Sequence, residues 1–96
     1  MFITEEELNT AIFSPMTKGN KLREFTDLIN KVRDRIASRN IIGGPQIKFQ
    51  AIQLSIMQMI SVIKSTHSAE EKAETLAKCT VDINNAHDIL LATLQL

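Results

Sequence analysis

Two histidines, one cysteine and a few grouped acids are the residues of this 96-residue chain whose types could do chemistry. A metal site needs three or four convergent ligands. Asn84, His87 and Asp88 fall within about one turn of a helix and supply a partial set, while His67 stands apart in a turn beside Glu70 and Glu71. Neither group completes a coordination shell. Solvated helix-surface histidines are the simpler reading, and no metal or other cofactor is expected.

A nucleophilic thiol needs a neighbouring base and a lowered pKa, often at a helix N-terminus. Cys79 falls in mid-helix on an apolar stripe, which predicts a buried, inert thiol. As the single cysteine it forms no internal disulfide and suits a reducing compartment. Acid–base work by paired carboxylates needs a cleft and shifted pKa values. Glu5, Glu6 and Glu7, like Glu70 and Glu71, fall in first helical turns, where acids complement the helix dipole. Gly43-Gly44-Pro45-Gln46 precedes a helix but lacks the glycine spacing and lysine of a phosphate loop. No catalytic constellation results, and the chain is read as non-enzymatic.

A last chemical possibility is a basic face. Lys31, Arg35, Arg39 and Lys48, with Arg33 nearby, could meet phosphates. No aromatic platform interleaves with them and the net charge is zero, which makes nucleic-acid regulation an alternative and not the leading reading. The charge is unevenly spread: −3 over residues 1–16, +6 over 17–67 and −3 over 68–96. A basic middle between acidic ends favours pairing within or between subunits.

The elements that must hold these residues are helices. The core has to be aliphatic, since the chain has four Phe and neither Trp nor Tyr. Thr4-Glu5-Glu6-Glu7 has the form of a capping box, opening a short helix over about 5–13 that Ser14-Pro15 ends. Leu22, Phe25, Ile29, Val32 and Ile36 step 3, 4, 3, 4 and predict a helix over about 20–39. On another of its faces Arg23, Asp27 and Lys31 alternate in sign at intervals of four. Asn40 to Pro45 is the strongest break, with a glycine suited to a helix C-cap and a proline suited to a first turn. A third helix over about 45–66 carries Phe49, Ile52, Ile56, Met59 and Ile63 on one seam. Ser68-Ala69-Glu70-Glu71 repeats the capping-box pattern and opens a fourth helix over about 69–94, with Leu76, Cys79, Ile83, Ala86 and Leu90 in line.

These elements predict a single all-α domain over 1–96: an antiparallel helical bundle of three long helices with a short N-terminal helix, expected to be oligomeric. The third helix is the informative one. It has no charged residue from Phe49 to Ile63, where a water-facing surface normally carries Lys and Glu. It is therefore read as the central helix or as a subunit interface, with Phe49, Ile52, Leu54, Ile56, Met57, Met59, Ile60 and Ile63 as core or interface. Its Gln and Ser polar positions differ from the Lys, Arg and Trp of a membrane-surface helix. No stretch is long and apolar enough to span a membrane, and the acidic start lacks the form of a secretory signal, so a cytoplasmic location is expected.

The functional expectation is a protein–protein interaction module. It would be a small adaptor, chaperone or regulator of bacterial or phage type, with coiled-coil-like seams, that self-associates as a homodimer or higher oligomer and sequesters a partner protein. A structural subunit of a secretion apparatus or filament is the second alternative, beside the nucleic-acid regulator.

Overall fold

The computed structural model describes residues 1–38 and 44–95, with side chains of the third helix from Gln50 onward. Among the described residues the chain is all-helical: α1 (Glu5–Ile12), α2 (Lys21–Ser38), α3 (Gly44–Ser65) and α4 (Ala69–Leu94). Residues 39–43, where the sequence predicts a break with a glycine C-cap, lie outside the described residues.

Each helix start has a local cause. At α1 the capping box is complete: the Glu7 N–H donates to Thr4 Oγ1 at 3.1 Å, and the Thr4 N–H donates to Glu7 Oε1 at 3.0 Å. At α4 only half of it forms. Ser68 Oγ accepts from the Glu71 N–H at 3.2 Å, but the Glu71 carboxylate turns to the Thr66 hydroxyl at 3.1 Å. The Ser68 N–H donates instead to Thr66 Oγ1 at 3.2 Å. The start of α2 belongs to Asn20. Its Oδ1 accepts from the Leu22 N–H at 2.8 Å, while its Nδ2 donates to the carbonyls of Ala11 and Pro15 at 3.0 and 3.1 Å. One side chain thereby caps α2 and closes the turn after α1. Gly19 supplies the positive φ of +99° that this turn requires. Pro45 lies in the first turn of α3, where its missing N–H leaves no gap in the ladder.

The core draws Ile3, Leu8, Ala11 and Ile12 from the N-terminal segment and α1, and the full seam Leu22, Phe25, Ile29, Val32 and Ile36 from α2. Ile56 and Ile63 come from α3, and Cys79, Ile83, Ala86 and Leu90 from α4. Each buried aliphatic side chain contributes about 1.5–3 kcal/mol.

Among the described residues α4 packs most extensively, on α1, α2 and α3. The main contact of α3 is with α4. The reason is length and pattern. At 26 residues α4 is the longest element, and one side of it buries a continuous seam, while the apolar residues of α3 are spread around its circumference and only part of them finds a neighbour. Neighbouring residues show α3 and α4 running antiparallel: Ile52 and Ile56 lie beside Ala86 and Ile89, and Met59 and Val62 beside Glu74 and Thr75. Arg33 of α2 donates to Gln53 Oε1 of α3 at 3.0 Å.

Candidate functional site

This packing decides where the side chains that could do chemistry are placed. Cys79 is fully buried, and its thiol is pushed up to about 11, first by burial and then by the nearby Asp82 carboxylate. A thiol that holds its proton so firmly is no nucleophile at neutral pH. His87 is not a solvated surface residue, as the sequence suggested. It is half-buried and stacks on the Phe2 ring at 4.2 Å with an interplanar angle of 11°. Neighbouring Asn84 is turned to the backbone of the N-terminal segment. Its Oδ1 accepts from the N–H groups of Phe2 and Ile3, both at 2.9 Å, and its Nδ2 donates to the Ile3 carbonyl at 2.9 Å. Two members of the partial ligand set read from the sequence, Asn84 and His87, are thus turned to the N-terminal segment, while Asp88 is exposed. Among the described residues no three His, Cys, Asp or Glu side chains converge as metal ligands.

Of the acids of α1, Glu7 is engaged as well. Glu7 completes the capping box and meets Lys21 Nζ at 2.9 Å. The Lys21 ammonium and the Thr4 backbone hold its carboxyl below the usual glutamate range. Lys21 also donates to the Phe2 carbonyl at 2.7 Å.

Of the basic face, Lys31 is exposed and Arg35 half-buried, while Arg39 and the Lys48 side chain lie outside the described residues. Arg33 is spent on Gln53. Along the α2 charge row, Arg23 meets Asp27 at 3.9 Å.

What stands out is the surface of α3. Gln50, Ala51, Leu54, Ser55, Met57, Gln58 and Ser61 are all exposed, and none carries a charge. Leu54 is 60% exposed and Met57 58%. Gln50, Leu54, Met57 and Ser61 are spaced 4, 3, 4, so they form one stripe on the side of α3 away from the core. Of the residues read from the sequence as core or interface, Ile56 and Ile63 are buried, and Ile52, Met59 and Ile60 are half-buried against the core. Leu54 and Met57 face water, and the Phe49 side chain lies outside the described residues. The described members of the 3, 4, 3, 4 seam, Ile52, Ile56, Met59 and Ile63, are the ones turned inward, while Leu54 and Met57 lie off that seam.

Beside this stripe, α3 and α4 enclose a shallow groove with two hollows that meet at Ser55. One, of about 370 Å3, lies among Ala51, Ile52, Ile56, Asp82, Ala86 and Ile89. The other, of about 470 Å3, lies among Gln58, Met59, Val62, Glu71, Glu74 and Lys78. Ile89 is 44% exposed at the rim. The hollow at Ile52 and Ile56 is mainly apolar and the one at Gln58 and Met59 is mixed, with an uncharged rim on α3 and a charged rim on α4.

The fold therefore defines an all-helical protein with an open two-helix face. Among the described residues no helix is long and apolar enough to cross a membrane. Comparison with protein-family models, with curated proteins and with solved structures gives no match.

Proposed function

We propose that this chain is a non-enzymatic protein–protein interaction module that self-associates through the outer stripe of α3. The observation that carries the reading is the exposure of Leu54 and Met57 on a helix surface without a charge. Water-facing helix surfaces carry Lys and Glu because their solvation is favourable and keeps copies apart. A stripe of Gln, Leu, Met and Ser lacks that repulsion. Two copies placed about a two-fold axis would bring each stripe onto its mate in a short coiled-coil-like contact, closing an antiparallel helical bundle. Such a closed pair suits a small chaperone or regulator that holds a target protein, and the protonated, buried Cys79 is compatible with a reducing cytoplasmic setting.

Methionine oxidation tests this directly. Met16 and Met57 have similar exposure in the single chain, 52% and 58%. Dilute peroxide converts exposed methionines to sulfoxides. As protein concentration rises, Met57 should become protected several-fold relative to Met16. Equal rates at every concentration would count against the α3 contact.

A filament subunit would use the same stripe in contacts that do not close, and would show mass growing without limit. Phosphate binding by Lys31 and Arg35 is the weaker alternative, because Arg35 is half-buried and neighbouring Arg33 is engaged with Gln53.

A further inference from the structure

The groove between α3 and α4 is a separate surface from the outer stripe. Its two sides differ in charge. The α3 rim, Ala51, Ser55 and Gln58, is uncharged. The α4 rim carries Glu71, Glu74, Lys78 and Asp82. Among the described residues no base lies within 4.0 Å of Glu74 or Asp82, although Lys78 is four residues from each and within helical reach of both. Asp82 is half-buried and is the single charged group against an apolar hollow of Ile52, Ile56, Ala86 and Ile89. A half-buried carboxylate without a cation gains most from a partner that brings one.

We infer that this groove docks an amphipathic helix of a different protein, apolar along one seam and basic along the flank that meets α4. The inference rests on the interaction reading and names the chemistry of the partner.

The geometry sets the pattern. Glu74 and Asp82 are eight residues apart, about 12 Å along α4. A helix lying alongside presents Lys or Arg to both when they are seven or eight residues apart. Its apolar seam drops one side chain into each hollow, on either side of Ser55.

The described residues of a second copy do not offer such a helix. The helix with the most bases, α2, has its apolar seam buried in the core. The exposed apolar residues of α3 lie in an uncharged row, and those of α4 stand beside acids. Among the described residues no helix of the chain shows an exposed apolar seam flanked by bases.

Two fluorescent synthetic 15-residue helical peptides test the inference by anisotropy. They share a leucine seam and differ only in carrying Lys or Glu at the two flank positions seven apart. The Lys peptide should bind the intact protein at least tenfold more tightly than the Glu peptide. The double variant Glu74→Lys/Asp82→Lys should reverse that preference, and Ser55→Trp, which fills the meeting point of the hollows from an exposed position, should abolish binding of both. Leu54→Asp, on the outer stripe, should leave peptide binding unchanged. Equal affinity for the two peptides, no binding of either, or binding untouched by Ser55→Trp would overturn the inference. So would a dimer that Ser55→Trp converts to monomer, since a second copy would then fill the groove. In that case, or where neither peptide binds while the protein still self-associates, the interaction reading survives and the partner's chemistry does not.

Discussion

The carboxamide of Asn84 on α4 pairs with the backbone of Ile3, accepting from its N–H and donating to its carbonyl, both at 2.9 Å. The side chain acts as a one-residue strand partner for an extended segment 81 positions away in sequence. Ile3 is fully buried beneath this pairing, and the Phe2 ring lies against His87. Asn84→Ala removes three hydrogen bonds, each worth about 0.5–1.5 kcal/mol net. Urea unfolding should show a loss of about 2 kcal/mol. Asn84→Asp keeps the acceptor and loses the donor, so its loss should be smaller. An unchanged midpoint for Asn84→Ala would show that this pairing adds nothing to the fold.

Cys79 should be silent until the chain opens. Its thiol holds its proton to about 11, against an ordinary value near 9.0. The native protein should react with a disulfide reagent at pH 8 only at the rate of its unfolding, and denaturant should restore the full rate. The sign of the linkage follows. Above pH 9 the unfolded thiol ionises while the folded one does not, so stability should fall as pH rises through that range. Cys79→Ala should remove this contribution to the alkaline loss.

The Glu7–Lys21 pair predicts the opposite slope in acid. The folded carboxyl titrates below its ordinary value of 4.5, so its stabilising effect is complete above that pH and is lost as pH falls through the lowered value. Glu7→Gln should flatten the acid limb of the stability curve below pH 4.5. A parallel limb in the variant would place the acid sensitivity elsewhere.

Two neighbouring positions on α3 separate core from surface. Ile56 is buried and Leu54 exposed, although both lie in the same apolar run. Ile56→Asp would bury an unpaired carboxylate and should cost about 3 kcal/mol or more. At dilution, where any oligomer has dissociated, Leu54→Asp should change stability by less than about 0.5 kcal/mol. Similar losses at both positions would mean that Leu54 belongs to the core.

Much of this molecule was readable before its structure. The α2 seam from Leu22 to Ile36 is buried residue for residue, because one apolar stripe opposite charged residues leaves a helix a single way to face. The first capping box was legible because its partners are three residues apart. The rest depended on contacts that no local pattern encodes. Asn84 and His87 looked like a fragment of a ligand set, and only the return of Phe2 and Ile3 across the fold shows what they hold. Asn20 serves two helices at once, which spacing alone does not announce. On α3 the seam through Ile52, Ile56, Met59 and Ile63 marked the inward side, but the pattern alone did not say whether the apolar Leu54 and Met57 beside it would be covered within the chain.

The central claim is that the uncharged outer stripe of α3 is an interface between copies. The direct test is solution mass by size-exclusion chromatography with light scattering, over a range of concentrations, for the intact protein and for Leu54→Asp/Met57→Asp. The account predicts a mass of twice 10.8 kDa that falls to a single chain on dilution, and a helical variant that stays at a single chain throughout. An intact protein that remains at 10.8 kDa at every concentration, or a variant that associates as the intact protein does, would contradict it.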